Sequence, residues 1–313
     1  MPRLARQKSE QAAFYHLCNR VAGAPTDYPF EERRNARRFL FLFQFYLRVY
    51  FCRLACFELM GNHYHCVIHF EQFRQLTRAE LHRRARLRFG RLRRLKTRSW
   101  QTSDWERFNR NLFDVSCFMQ HVNGEFAKWF NRRYNRRGPF WADRFKNPQL
   151  LDKEAVQSAI LYNELNAVRA GRVKRPEDYR WGSAHWRWTN KKGNLLIPLE
   201  ELFPAQGNLD SFQVYRCLLY HRGAVATKEH QAVIPPAILQ RERQRGFAQP
   251  GILRRRLRFL TDGIAIGGRE PVSALLEKYR QAGLYRRRKH PIPQLGGSLF
   301  SLREQRSHAF SPG

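Results

Sequence analysis

Two short groups of residues in this 313-residue chain have the types and spacing for chemistry. The first is His63-Tyr64-His65. In a strand, residues i and i+2 point to the same face, so both imidazoles can converge on one ion. Two imidazoles are only part of a metal site; a third ligand and a reactive group must come from elsewhere. Tyr162 with Asn166 can supply both. Four residues apart on a helix, they lie one above the other. The Asn amide offers a hard oxygen ligand, suited to Mg²⁺ or Mn²⁺ beside imidazoles. A phenol held beside such an ion becomes a better nucleophile, and the ion polarises a phosphodiester. The same spacing suits a buried aromatic on a helix face, and residue types alone leave both readings of Tyr162 open.

The elements that must position these residues follow from pattern. Residues 13–21 alternate as a strand, and 31–48 carry apolar residues at helical spacing. Residues 50–60 and 63–70 read as two strands joined by the hairpin turn Gly61-Asn62. Residues 115–134 form a helix, with Phe118, Val122, Phe126, Trp129 and Phe130 at three- and four-residue intervals and Gly138-Pro139 as its stop. Residues 140–150 are extended. Asp152 is the expected N-cap of a helix from 153 to about 170, closed by Gly171. Residues 190–194 read as a linker. This divides the chain into 1–189 and a basic, mainly helical extension, 190–313, with Arg/Lys runs at 254–256 and 286–289.

Charge narrows the partner. Lys plus Arg number 58 against 26 Asp plus Glu, a formal charge of +32 with a sequence pI near 11.0. Such an excess repels itself unless a polyanion shares it. Of the 58, 47 are Arg, which forks onto phosphate and stacks on bases. Nucleic acid is the expected partner. From Arg74 to Arg98 there are eleven basic residues and one acid, Glu80. Leu81, Leu87, Leu92 and Leu95 there are compatible with one helical stripe, and the rest of that helix is expected to face phosphate. The 42% apolar and 14% aromatic content excludes wholesale disorder. No run of 18 apolar residues occurs, and the N-terminus has no apolar secretory core. Six cysteines without a C-x-x-C pair argue against a zinc ribbon and suit a reducing cytoplasm, the expected location beside the nucleoid.

Six segments, in this order and spacing, carry a resemblance to a known family. They are Tyr15-His16-Leu17-Cys18-Asn19-Arg20, Leu59-Met60-Gly61-Asn62-His63-Tyr64-His65 and Phe130-Asn131-Arg132-Arg133-Tyr134. Next comes Gly138-Pro139-Phe140-Trp141 with Arg144-Phe145-Lys146, then Tyr162-Asn163-Glu164-Leu165-Asn166-Ala167-Val168-Arg169-Ala170-Gly171 and Pro176-Glu177-Asp178-Tyr179-Arg180-Trp181. Residues 13–186 thus resemble the HUH single-tyrosine transposases, most closely the REP-associated tyrosine transposase group. Ile266-Gly267-Gly268-Arg269-Glu270 is a weaker echo of longer members. Gly61 and Ala167 stand where the family usually has Pro, and Trp181-Gly182-Ser183 where it has Trp-Ser-Ser. The Pro-to-Ala change is expected to let the helix run on past Asn166.

The resemblance implies an α+β fold, an antiparallel sheet of the HUH, ferredoxin-like palm type with helices packed on it. It implies His63, His65 and Asn166 as ligands of Mg²⁺ or Mn²⁺ and Tyr162 as the nucleophile. The implied activity is metal-dependent cleavage and transfer of single-stranded DNA at hairpins, through a 5′-phosphotyrosine intermediate. Candidate DNA contacts are Arg91, Arg94, Arg132, Arg133, Arg136, Arg137 and Arg144, with Trp129, Tyr134 and Trp141 for stacking. The expected partners are single-stranded or hairpin DNA, with a homodimer compatible and no membrane. The competing reading is a non-catalytic nucleic-acid hairpin binder, which explains the charge but not the joint presence of His63, His65, Tyr162 and Asn166. Residues after 190 are expected to add DNA affinity but nothing needed for chemistry.

Overall fold

A computed structural model describes residues 11–24, 26–190, 195–226, 230–245, 263–282, 290–294 and 299–303. In chain order the elements are β1 (Ala13–Arg20), α1 (Arg33–Val49), β2 (Cys52–Leu59), β3 (His63–Phe70), α2 (Arg78–Phe89), α3 (Arg93–Thr97), α4 (Thr102–Asn111) and α5 (Val115–Arg133). There follow β4 (Gln149–Leu150), α6 (Lys153–Glu164), α7 (Asn166–Arg169), α8 (Ser183–Trp188), α9 (Leu199–Leu202), α10 (Ser211–Gly223), α11 (Pro236–Gln244), β5 (Gly263–Gly267), α12 (Arg269–Gln281), β6 (Ile292–Gln294) and β7 (Leu299–Arg303). The fold is α+β with a predominantly antiparallel arrangement of strands. Among the described residues no helix is long and apolar enough to cross a membrane, and none of the six cysteines is in a disulfide.

The chain forms two compact units, Met1–Phe145 with Arg175–Pro198, and Lys146–Lys174 with Leu199–Gly313. By packing, therefore, the helix bearing Tyr162 groups with residues after 199, whereas the sequence division places it in 1–189. The basic runs at 254–256 and 286–289 lie outside the described residues.

In the first unit β3 pairs antiparallel with both β1 and β2, the second pairing interrupted by a bulge between Leu54 and Cys56. The Gly61-Asn62 turn forms as expected, closed by Met60 N–H donating to the His63 carbonyl at 2.8 Å. Alternation gives the sheet two faces. Tyr15, Leu17, Tyr64, Cys66, Ile68, Phe57 and Leu59 join α1 and α5 in one buried core. α1 contributes Phe39, Leu40, Phe43, Tyr46 and Leu47, and α5 contributes Phe118, Val122, Phe126 and Phe130, the helical spacing read from sequence. Ring pairs such as Phe43–Phe57 at 4.7 Å and Phe39–Phe126 at 5.3 Å, edge-on, fill that layer. α5 starts at Asp114, whose carboxylate accepts from Ser116 N–H at 2.6 Å and Cys117 N–H at 3.1 Å. It ends at Arg133 with Tyr134 as its cap, matching the expected bound, and it is Asn135 at φ 45°, ahead of Gly138, that turns the chain.

The Arg-dense segment departs from its sequence reading. Its one acid, Glu80, closes a capping box with Thr77 at the start of α2. Leu81 is buried beside Ala85, but Leu87, Leu92 and Leu95 are 46%, 57% and 70% exposed, so the four do not form one packed stripe. Leu81 to Leu87 is not a same-face interval, and Gly90 at φ 53° ends α2. Nor does every arginine face outward. Arg84 lies 4.0 Å from the Phe51 ring centroid and donates to the Val49 carbonyl at 3.2 Å, helping to terminate α1.

Arg88 Nη2 donates to His121 Nε2 at 2.5 Å, so His121 carries its proton on Nδ1, bonded to the Tyr50 hydroxyl. Burial, then the Arg88 charge, pushes His121 down to about 4. An unfolded imidazole titrates near 6.5. Between those values the unfolded chain binds the proton and the native one does not, so stability present above about pH 6.5 is lost as pH falls toward 4. Thermal melts are therefore expected to drop steeply across that window. His121→Gln, which keeps an acceptor for Arg88, should flatten the drop; an identical pH slope in the variant would show that His121 is not its source.

Candidate functional site

The face of the β1–β3–β2 sheet opposite the aromatic core carries the histidines. The register pairs Arg20 with His63, Cys18 with His65 and Glu58 with His65, and directly paired residues share a face. His63 and His65 thus point the same way, as expected, with ring centroids 5.2 Å apart and planes at 88°. His63 is half-buried and His65 is buried. His63 Nδ1–H donates to Asn62 Oδ1 at 2.8 Å, which places its lone pair on Nε2. Burial, then the positive Arg20, pushes His63 down to about 4, so the imidazole is neutral at pH 7, the form that ligates a metal.

His16, fully buried on the same face, brings its Nε2 within 3.2 Å of His65 Nδ1, the two rings stacked at 5.3 Å. With the proton on His65 Nδ1, His16 accepts, and the lone pair of His65 is also on Nε2. A partner on Nδ1 is the usual way a ligating imidazole is oriented. Spacing alone does not point to His16; its place opposite Val67, diagonal to His65 on the same face, becomes visible only with the β1–β3 register. Among the described residues no group of three or more His, Cys, Asp or Glu side chains is placed to hold a metal ion.

Tyr162 and Asn166 lie in the second unit. Asp152 caps α6 as expected, its Oδ1 accepting from Ala155 N–H at 2.8 Å, and its Oδ2 accepts from Gly268 N–H. A Cβ on Gly267 would meet Asp152 Oδ2 and Leu151 Cβ, each at 2.9 Å. The Gly-Gly pair thus lets the end of β5 approach the start of α6. Gly171, at φ 67°, closes α7 with N–H donating to the Val168 carbonyl at 2.8 Å.

The helix does not run unbroken past Asn166. It is interrupted at Leu165, whose φ of −98° and ψ of −2° lie in the right-handed region but off the ideal α-helix. Ala167 removes a proline's constraint without imposing continuity. The Tyr162 carbonyl at this break accepts from Arg169 Nη1 at 3.3 Å, and the Arg169 guanidinium lies 5.1 Å from the Tyr162 ring centroid. Tyr162 and Asn166 are half-buried, whereas Leu161, Asn163, Glu164, Leu165, Ala167 and Val168 are buried. The Asn166 Nδ2 position is buried and has no hydrogen-bond partner among the described residues. Amide O and N are assigned by their partners, so this end keeps unused bonding capacity, as a ligand requires. Two imidazoles and such an amide fit a hard divalent cation in donor type.

Packing holds the Tyr162 helix from α10. Tyr215 O–H donates to the buried Glu164 carboxylate at 2.5 Å, and Arg222 Nη2 donates to Ser158 Oγ at 3.2 Å. Arg222 is buried, and its Nε and Nη1 have no partner among the described residues. Burial, then the positive Arg169, lowers it to about 10, still charged at pH 7. Arg222 was missed from sequence because nothing in its local pattern marks it.

Of the candidate DNA contacts, Arg91, Arg94, Arg132, Arg133, Arg136, Arg137 and Arg144 are exposed. Trp141 is different. Its indole N–H donates to the Asn123 carbonyl at 3.0 Å and its ring packs on Phe140, Tyr64 and Phe39 at 4.8, 5.6 and 5.9 Å. The half-buried ring thus packs on the core, with its indole N–H already engaged. Trp129 is half-buried against the same core, with Arg38 over its ring at 5.8 Å.

No family model and no curated protein matches the chain. A solved structure described as that of "the REP associates tyrosine transposase bound to a REP hairpin" aligns with 67% of this chain and 97% of its own. Identity is 11% and the TM-score 0.41; a likeness at that score supports no conclusion about this chain.

Proposed function

We propose that the protein is a metal-dependent, single-strand-specific DNA endonuclease and strand transferase that acts beside DNA hairpins, with Tyr162 as nucleophile. The observation that carries this reading is the pair of imidazoles, His63 and His65, on one face of β3, each with a partner on Nδ1. His63, His65 and Asn166 are the residues that would hold Mg²⁺ or Mn²⁺. Bound there, the ion would supply Lewis-acid polarisation of a phosphodiester oxygen.

The step assigned to Tyr162 is in-line displacement. Its oxygen attacks phosphorus, the P–O3′ bond breaks, and the 5′ phosphate stays on the tyrosine. The phenolic proton passes to water, and the departing 3′ oxygen takes one up. In strand transfer an incoming 3′-OH reverses the step and frees Tyr162. Exposed Arg132, Arg133, Arg136, Arg137 and Arg144 are assigned to phosphates, where guanidinium forks bind two oxygens at once.

The test is incubation with an end-labelled hairpin bearing a single-stranded flank, with and without Mg²⁺ or Mn²⁺, resolved on a denaturing gel. Metal-dependent cleavage with a slow-migrating adduct is expected. Hairpin binding with neither product would support the non-catalytic binder instead.

His63→Ala supplies a further check, because His63 is half-buried and its removal leaves the buried His16–His65 pair intact. Cleavage is expected to fall on the order of a hundredfold or more, with Mn²⁺ binding by calorimetry weakened in parallel. Wild-type Mn²⁺ affinity in the variant would remove His63 from the ligand set.

A further inference from the structure

A cleft of about 570 Å³ in the first unit is lined by Val21, Asp27, Tyr28, Phe130, Tyr134 and Arg136, among others. Nearly all the aromatic rings around it are buried, yet Tyr28 and Tyr134 are 41% and 40% exposed. Two exposed aromatics in one cleft, with an exposed arginine beside them, are the components of a base-stacking site with a phosphate anchor.

The cleft is rigidly built. Tyr134 packs on Phe130 at 4.4 Å, and its hydroxyl donates to the Glu32 carboxylate and lies 3.0 Å from Asn35 Oδ1. Asn135 turns the chain at φ 45°, and Arg136 N–H then donates to the Asn131 carbonyl at 2.9 Å. Asn131 Nδ2 donates to the Gly138 carbonyl at 2.8 Å, bracing the same loop. Tyr28 lies over Gly61. A Cβ at Gly61 would sit 2.7 Å from Tyr28 Cδ1, so the glycine admits the ring. Val21 N–H donates to the Asn62 carbonyl at 2.8 Å and Phe30 N–H to the Gly61 carbonyl at 3.0 Å. The wall of the cleft is therefore tied to the turn that leads into His63.

We propose that this cleft binds one unpaired nucleotide of single-stranded DNA, its base against Tyr28 and Tyr134 and its phosphate on Arg136. The volume suits a nucleotide and is too small for a duplex groove or helix, a base can offer its whole face only when unpaired, and the chain's charge of +32 favours a polyanion. The site extends the nuclease reading, on which its placement beside the cleavage centre rests, by naming where the single-stranded flank is held.

The test uses the full chain without divalent ions, so that binding is read apart from cleavage. Single-stranded oligonucleotides carrying 2-aminopurine at successive positions should show strong quenching at one position on wild-type protein. Tyr28→Ala and Tyr134→Ala should each weaken single-strand affinity by roughly fivefold to a hundredfold and relieve that quenching. Tyr28→Phe should restore both, and a blunt hairpin without a flank should bind all variants as it binds wild type. Arg136→Ala should flatten the dependence of single-strand affinity on salt. Absence of position-specific quenching on wild-type protein would overturn the proposal whatever the variants do. So would unchanged single-strand affinity in both alanine variants, or an equal loss for the blunt hairpin. If the cleft behaves as expected but no covalent adduct ever forms, the nuclease reading fails and the nucleotide site stands.

Discussion

Tyr162→Phe is expected to abolish the covalent protein–DNA adduct while leaving DNA binding close to wild type. The change removes one hydroxyl and keeps the ring, so the packing under the Arg169 guanidinium is retained. A lost hydroxyl hydrogen bond costs about 1 kcal/mol, a small fraction of a domain's stability. Chemistry, by contrast, loses the atom that forms the bond to phosphorus. A nuclease using metal-bound water would keep its activity in this variant, so the result separates covalent from hydrolytic cleavage. Other tyrosines are poorly suited to take over. Tyr64 is fully buried with its hydroxyl on Asn123 Oδ1 at 3.1 Å. The Tyr134 phenol is raised above its ordinary value by burial and by its bond to Glu32. Undiminished cleavage by Tyr162→Phe would remove Tyr162 as nucleophile.

The second large effect concerns the chain after residue 190. A fragment ending there is expected to form no adduct at any DNA concentration. This reverses the expectation from sequence that chemistry would survive the truncation. The cut strips α6 of the Tyr215–Glu164 and Arg222–Ser158 bonds, of the Leu202 carbonyl that accepts from Gln157 at 2.8 Å, and of Gly268 on Asp152. It leaves a fully buried carboxylate, Glu164, without its hydroxyl donor, a penalty of roughly 1–3 kcal/mol for that group alone. It also removes the bond from Ile197 N–H to the Leu54 carbonyl at 2.7 Å in the first unit. Hydrogen exchange should show residues 146–174 unprotected in the fragment. Wild-type adduct yield from a 1–190 fragment would show that the tail contributes only affinity.

Local signals were legible wherever a residue acts through its own neighbours. The β2–β3 hairpin, the shared face of His63 and His65, the Asp152 cap and the Gly171 stop all depend on spacing or turn chemistry within a few residues, and all appear where the sequence puts them. What was illegible depends on residues far apart in the chain. His16 reaches His65 only through strand register, Trp141 enters the core through contacts with Phe39 and Tyr64, and Arg84 is drawn onto Phe51 and the end of α1. The leucines between Leu81 and Leu95 suggest a stripe by composition, and the turn at Gly90 breaks it. Gly61 has a reason that only the fold reveals: the Tyr28 ring occupies the space a side chain would need.

The most direct measurement of the central claim is peptide mapping of the adduct. The full-length protein would be incubated with a hairpin bearing a single-stranded flank and Mg²⁺ or Mn²⁺, then digested with nuclease and protease and analysed by mass spectrometry. The account predicts a nucleotide attached through a 5′ phosphate to the peptide containing Tyr162, with an unmodified 3′-OH on the released strand. Attachment to any other residue, or cleavage that leaves no nucleotide on the protein, would contradict it.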